Sequence, residues 1–356
     1  MKKLYKQKEM GQVIKSIGAG LLFSSVALTG ISQDIHFSQM AYSPLTLNPA
    51  LAGANGPMQG IVNYRTQWKS VASPYKTIAA SFDARLNDKK RQKKGIFALG
   101  VNFYNDQAGD ARISSTNANL NLAYHLILSE KSTLGAGIYG GFGQRSITPG
   151  NGKWGSQFNG NIYDPALSSG ETFLSDRFSY LDVGAGTVYT YKSSERYMTS
   201  NNQRDINIGL AMYHLSKPDY SFLSANDERL YMRLSVFANA TIGISNTKLS
   251  LMPGIYYQRQ KTAQELLFGT YFRYMIQEQS RITGYNKGAF LSLGAFYRNK
   301  DALVAKAMLE FSDYSLGFAY DVNVSSLITV SSAKGGFELF LRYNMTKGPN
   351  VSRTRI

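Results

Sequence analysis

The chain has 356 residues with no cysteine, 33 glycines, 24 tyrosines, 19 phenylalanines and a formal charge of +16. The missing cysteine excludes disulfides, thiolate metal sites and cysteine nucleophiles, and an aromatic surplus with almost no helix periodicity calls for an apolar solvent or a partner. No composition break divides the chain, which reads as one domain, and its basic residues are scattered over turns, strand ends and the tail, not gathered into the stripe that nucleic acid requires.

At the start, Lys2, Lys3, Lys6, Lys8 and Lys15 precede an apolar run from Ile17 to Thr29, closed by Gly30, Ile31 and Ser32. This is the pattern of an export signal over 1–32, with small residues placing cleavage between Ser32 and Gln33. The signal carries five Lys and one Glu, a net +4 of the +16, so the rest of the chain keeps +12. The apolar run is too short to span a bilayer, and no later segment reaches the roughly 18 apolar residues of a membrane helix. Residues 33–59 lack a sustained period and are rich in Pro, Asn and Gly, which predicts an ordered non-strand leader.

Fourteen candidate strands follow, at 60–68, 75–86, 95–105, 112–128, 132–147, 177–192, 204–216, 229–243, 247–260, 264–278, 288–299, 302–312, 314–323 and 335–346, with 347–356 left as a basic tail. The pattern is clearest in one hairpin. Ala118, Leu120, Leu122, Tyr124 and Leu126 alternate with Asn117, Asn119, Asn121, Ala123 and His125; after Ser129–Ser132, Leu134, Ala136, Ile138 and Phe142 alternate with Gly135, Gly137, Tyr139, Gly141 and Gly143. Each strand has one apolar face and one small, polar or charged face. In a soluble sandwich the apolar faces would meet; in a membrane barrel they face lipid and the wet face lines the lumen. Several segments run for ten or more residues, the length a tilted strand needs to cross a bilayer. We therefore expect an all-β, transmembrane antiparallel barrel of about fourteen strands over 60–346. An even count puts both ends of the barrel on one side.

Connection lengths agree with that reading. If Gln33 starts inside, the three longest connections, 148–176, 217–228 and 324–334, all fall outside, where barrels carry their longer loops. The inner turn NDKKRQKK (87–94) is strongly basic and reads as a solvated turn in preference to a docking site; a second long inner turn spans 193–203. Pro253 predicts a bulge or a strand end, since it lacks a ladder donor. Tyr189, Tyr191, Tyr256, Tyr257, Tyr271 and Tyr274 near segment ends fit interfacial girdles or ordinary strand aromatics.

Little catalytic chemistry is visible. Gly135, Gly137 and Gly140 match a dinucleotide GxGxxG, but no helix follows to present its N-terminus to a pyrophosphate, and the glycines read as small inner-face residues. Of the three histidines, His125 lies on the wet face, His214 shares a face with Ile206, Ile208, Leu210 and Met212, and His36 lies in the leader. They have no metal-ligand spacing and no serine triad can be assembled. No catalytic, cofactor or metal site is expected. Asp106 and Asp110 in NDQAGDA read as turn residues more readily than as calcium ligands, because the spacing and terminal Glu of a calcium loop are missing. Trp154, Phe158, Tyr163 and Phe173 stand among Gly, Asn and Ser in the long loop, either as a binding surface or folded back into the barrel mouth.

Several pieces spread along the chain resemble one family. HFSQMAYSPLTLNPALAG (His36–Gly53), NYRTQW (Asn63–Trp68), NDQAG (Asn105–Gly109), GLAMYHLSKP (Gly209–Pro218), YDVNVSSL (Tyr320–Leu327) and GGFELFLRY (Gly335–Tyr343) resemble the PorP/SprF outer-membrane proteins associated with type IX secretion and gliding in Bacteroidetes-type bacteria. The resemblance implies a non-enzymatic barrel that helps secrete or anchors a large surface adhesin through its C-terminal sorting domain. It also implies contact with periplasmic ring or lipoprotein components. A passive diffusion channel is the alternative. The family's leader motif falls on Phe37, Ser38, Gln39, Asn48, Pro49 and Gly53, as a plug or cap or as a partner contact. Its first-strand motif falls on Asn63, Tyr64, Arg65, Gln67 and Trp68, with Arg65 expected to point into the lumen, away from lipid. The chain departs from the usual barrel end by continuing past Tyr343 into the basic tail.

Overall fold

The computed structural model describes residues 34–68, 73–86, 94–170, 175–193, 196–197, 200–222, 228–278, 288–325 and 333–345. Its body is a closed barrel of 14 antiparallel strands. They are β1 (Met58–Gln67), β2 (Tyr75–Arg85), β3 (Gly95–Ala108), β4 (Ile113–Ile127), β5 (Ser132–Ser146), β6 (Arg177–Ser193) and β7 (Arg204–Tyr213). The second half comprises β8 (Arg233–Gly243), β9 (Leu249–Gln260), β10 (Ala263–Gln277), β11 (Ala289–Arg298), β12 (Ala302–Phe311), β13 (Tyr314–Asn323) and β14 (Lys334–Asn344). Each strand pairs with the next, and β1 pairs with β14 from Gln59 opposite Asn344 to Gln67 opposite Gly336. Closure leaves no strand edge unpaired, which is what lets a sheet sit in hydrocarbon. Two short segments, Arg196–Tyr197 and Ser200–Asn201, form a separate ladder.

All fourteen expected segments coincide with strands, and their ends differ by no more than four residues, the largest difference being at Arg233. The period-2 pattern sets the two faces. Val62, Ile138, Leu181 and Leu293 are 52%, 59%, 74% and 57% exposed on the outer wall, where an apolar residue is stable only against lipid. The connections 147–176, 214–232 and 324–333 lie at one end of the barrel, the loop rim; the other end, the turn rim, carries 128–131, 244–248 and 312–313. The turn rim also holds the longer connections 86–94, 194–203 and 278–288.

The wet face is less uniform than the alternation suggests. Val188, Phe237, Tyr256, Leu267, Tyr271, Phe296, Val304, Met308 and Phe340 point inward and are buried together with Met40, Tyr42, Leu47, Ala50, Leu51 and Ala54 of the leader. The lumen therefore holds a hydrophobic core to which both the wall and the leader contribute, the wall the larger share. Tyr256 and Tyr271 consequently belong to this core and not to a membrane girdle, whereas Tyr274 is 48% exposed on the outer wall.

Other local expectations change for physical reasons. Pro253 sits mid-strand without a bulge: β9 keeps one register against β10 through Pro253 opposite Thr270, while the β8 ladder lapses after Asn239–Gly254 and resumes in the same register at Ile242–Leu251. The missing donor is absorbed by a local gap in pairing. Gly140 faces outward, where an added Cβ would meet nothing within 4 Å, unlike Gly135 and Gly137 on the inner face.

The leader is ordered by prolines and one cap. Pro44 opens a single helical turn, Pro44–Leu47, and Pro49 opens a 3-10 turn, Pro49–Leu51, each at the position where a missing N–H costs nothing. The Asn48 side chain accepts from Ala50 N at 2.9 Å and so caps the second turn. These compact turns let the segment descend the lumen. Ile35 and His36 lie by the loop-rim residues Arg233 and Arg65, and Ala54 lies by Arg85 and Lys192 near the turn rim. An even strand count alone would leave both ends on one side; the leader adds a further crossing, so Ile35 and Asn344 lie at opposite rims.

Candidate functional site

The best-defined polar constellation is the seat of the leader inside the barrel. Phe37, Ser38, Gln39 and Asn48 are at most 2% exposed, and Pro49 and Gly53 are buried. Near the loop rim, Glu338 of β14 accepts the backbone N–H groups of Ser38 at 2.6 Å and Gln39 at 2.9 Å. Ser38 Oγ donates to Asp321 of β13 at 2.7 Å. Arg298 of β11 donates to Ser38 Oγ at 2.6 Å and to Asp321 at 3.0 Å, and Arg65 of β1 donates to Asp321 at 3.2 Å and to the His36 carbonyl. Arg298 also pairs with Glu265 at 2.9 Å. Charges this deeply buried persist because each is paired and hydrogen-bonded.

The grip continues down the lumen, and most of it falls on leader backbone. Asn63 Nδ2 donates to the Tyr42 carbonyl at 3.1 Å, Tyr213 OH to Leu45 O at 3.1 Å and Arg233 to Thr46 O at 3.0 Å. Tyr42 stacks on Phe340 with ring centroids 4.1 Å apart. Asn48 Nδ2 donates to the carbonyls of Thr187 and Leu210, at 2.9 and 3.2 Å. Further down, Gly53 N donates to Asp83 at 2.8 Å, Arg85 Nε to Gly53 O at 2.7 Å and Lys192 Nζ to Ala54 O at 3.0 Å, while His125 Nε2 lies 2.7 Å from Ala52 O. Gly53 has φ +69°, and a Cβ there would stand 2.5 Å from the Cβ of Ala98, so only glycine fits.

The structure thus brings the leader motif together with two of the five residues of the first-strand motif. Asn63 and Arg65 face the leader, whereas Tyr64 is 38% exposed on the outer wall and Trp68, at φ 54°, leaves the strand and meets Tyr75 edge-on. The loop aromatics lie apart at the loop rim. Phe158 is 55% and Tyr163 37% exposed, with Ile162 at 66% beside them. The turn that presents them is held by Trp154 Nε1 to Pro149 O at 3.3 Å and Tyr163 OH to Gln157 at 3.3 Å. Phe173, Ser32 and Gln33 lie outside the described residues, as does most of the basic turn 87–94.

Arg298 and Arg233 are functional candidates outside every family motif, and Asp321 and Glu338 lie within YDVNVSSL and GGFELFLRY without being singled out there. Their signal was present: a charge at an inward position of a membrane strand must be spent on a partner in the lumen. His214 corrects the expected face assignment. The strand ends at Tyr213, and a φ of 58° swings His214 inward, where Nδ1 lies 2.7 Å from Asp182, which also accepts from Tyr139 OH at 2.5 Å. Asp106 accepts from Thr77 Oγ1 at 2.6 Å and Asp110 from Ser73 Oγ. Among the described residues no group of three or more His, Asp or Glu is placed to hold a metal ion.

A family model described as type IX secretion system membrane protein PorP/SprF matches residues 29–343. No curated protein matches the chain. Similar solved structures include the Ralstonia pickettii toluene transporter TbuX, at 12% identity and TM-score 0.45 over 86% of this chain and 94% of that one. A Pseudomonas aeruginosa FadL homologue aligns at 10% identity and TM-score 0.42, covering 81% and 90%. BamA from Haemophilus ducreyi aligns at 9% identity and TM-score 0.41, covering 81% and 70%.

Proposed function

The chain belongs to the PorP/SprF family of type IX secretion system membrane proteins, and from that premise we propose that it is a plugged outer-membrane platform that receives a polypeptide at its loop rim. The observation that carries this reading is the leader: a segment fixed to the wall at both rims and in the middle occupies the space a solute would need. A barrel closed in this way acts through its rims. At the loop rim, Phe158, Ile162 and Tyr163 offer apolar surface on a turn braced from behind, as a docking site for a protein does.

The partner is a large surface adhesin whose C-terminal sorting domain docks there after export, with ring or lipoprotein components of the secretion and gliding machine engaged at the periplasmic side. Residues 1–32 act as the removed signal and 33–59 as the plug. The protein carries out no chemistry of its own.

Affinity capture of the native barrel from detergent-solubilised membranes should recover such an adhesin, and Phe158→Ser with Ile162→Ser should lower that recovery several-fold while thermal stability moves by less than about 0.5 kcal/mol. Unchanged recovery in the double variant would remove the loop rim from the reading. Normal adhesin display in a strain lacking the barrel would remove the function itself. The diffusion-channel alternative predicts steady conductance of the intact barrel in planar bilayers.

A further inference from the structure

Near the turn rim, two lumen-facing guanidiniums share one carboxylate. Arg273 of β10 donates through Nε to Glu310 of β12 at 2.6 Å, and Arg342 of β14 donates through Nη2 to Glu310 at 3.2 Å and to Ser315 Oγ at 2.8 Å. Glu310 is the one carboxylate ion-paired with either among the described residues, so the trio keeps an uncompensated positive charge. The remaining donors are unused. Arg342 Nε is buried without a partner, and among the described residues neither Nη of Arg273 nor Nη1 of Arg342 bonds the protein.

Their orientation is held. Arg273 lies 3.6 Å over the Phe290 ring and Arg342 lies 5.1 Å from the Tyr42 ring, contacts that fix each plane and leave an edge open. The side chains of Arg273, Arg342 and Glu310 are 12%, 17% and 14% exposed, which is dry enough to strengthen a charge contact and open enough to admit one. Lys94, Lys131 and Lys248 are exposed at the same rim. By sequence, the turn-rim connection 86–94 holds five Lys or Arg against one Asp, whereas loop 147–176 holds one Lys against three acidic residues.

A lipid phosphate does not fit this arrangement, because the guanidiniums point to the inside of a closed cylinder and lipid lies outside its wall. A ligand arriving along the axis does. Guanidinium forks match carboxylates, and a rim of lysines draws acidic chains toward the mouth. We propose that Arg273 and Arg342 form a carboxylate-binding site at the turn-rim mouth of the lumen, for an acidic segment of a polypeptide. The site stands whichever protein docks at the loop rim.

The test uses the purified full-length barrel in detergent and a fluorescently labelled peptide of alternating Asp and Gly, followed by anisotropy. The wild type should bind, and added salt should weaken the binding. Replacing both arginines, R273Q with R342Q, should weaken it about tenfold or more. Glu310→Gln removes the internal competitor and should tighten it about threefold or more. Lys248→Gln should change it by no more than about twofold. Heat-modifiable migration in gels reports that each barrel is closed, and if the double variant does not close, Glu310→Gln decides. Three results would overturn the site: no saturable binding by the wild type up to ~1 mM, equal binding by the closed double variant, or unchanged or weaker binding by closed Glu310→Gln. Phosphatidylglycerol vesicles showing the same dependence on Arg273 and Arg342 would overturn the choice of ligand.

Discussion

Asp321 is the residue on which the leader's seat depends. It accepts from Ser38, Arg65 and Arg298 at once, so Asp321→Ala would leave the buried Arg65 guanidinium without a carboxylate partner and Arg298 with Glu265 and Asp301 only. Loss of one partner in such a cluster costs about 3–5 kcal/mol. The variant should therefore unfold at markedly lower temperature, and limited proteolysis should cut within 35–57. The two glycines of β5 give a sharper contrast. A Cβ on Gly137 would stand 2.5 Å from Ala50 N and 2.7 Å from Pro49 C, backbone atoms of the leader that cannot swing aside, whereas one on Gly140 meets nothing. Gly137→Val should cost about 1–3 kcal/mol and Gly140→Val less than about 0.5, both read by thermal or urea unfolding. Parity alone puts the two on opposite faces, since Gly140 is in step with Ile138 and Phe142, and it is the GxGxxG spacing that groups them wrongly; what the sequence does not reveal is that leader backbone lies against Gly137. Arg65 was legible for the opposite reason: a guanidinium between Tyr64 and Thr66 has only one side on which it escapes lipid.

At the level of elements, all fourteen strands were readable, with ends within four residues, because a one-sided hydrocarbon environment imposes alternation along them. Ile138, at 59% exposure on β5, tests that claim. Ile138→Arg should destabilise the barrel by about 2–4 kcal/mol if this position lies near mid-bilayer. Refolding into lipid vesicles measures the loss, and a neutral result would remove lipid from the outer wall. The strand ends and the lumen were less legible. Alternation names a face but not its neighbours, so Tyr256 and Tyr271 read as girdle aromatics until the leader's Met40 and Tyr42 are found packed among them. His214 was misassigned because parity stops having meaning once φ turns positive. The leader's own path was invisible for a related reason: its contacts are long-range hydrogen bonds to backbone, which leave no periodic trace in either partner.

For the whole molecule, the leader decides what kind of barrel this is. Its removal, or its loosening in Asp321→Ala, should raise single-channel conductance in planar bilayers well above that of the intact protein; equal conductance would mean that the leader does not seal the lumen. The path of the leader also dictates chronology. It runs from one rim to the other and continues at Pro57 directly into β1, the strand whose partnership with β14 joins the two ends of the sheet. Were that join made first, some twenty residues would have to reptate through a tunnel already crowded with side chains. The economical sequence of events is the reverse, with the sheet curling around its own N-terminal strap and the last seam zipping afterwards. Pulse-labelling during refolding should accordingly find Ser38 and Gln39 amides protected no later than those of the β1–β14 ladder.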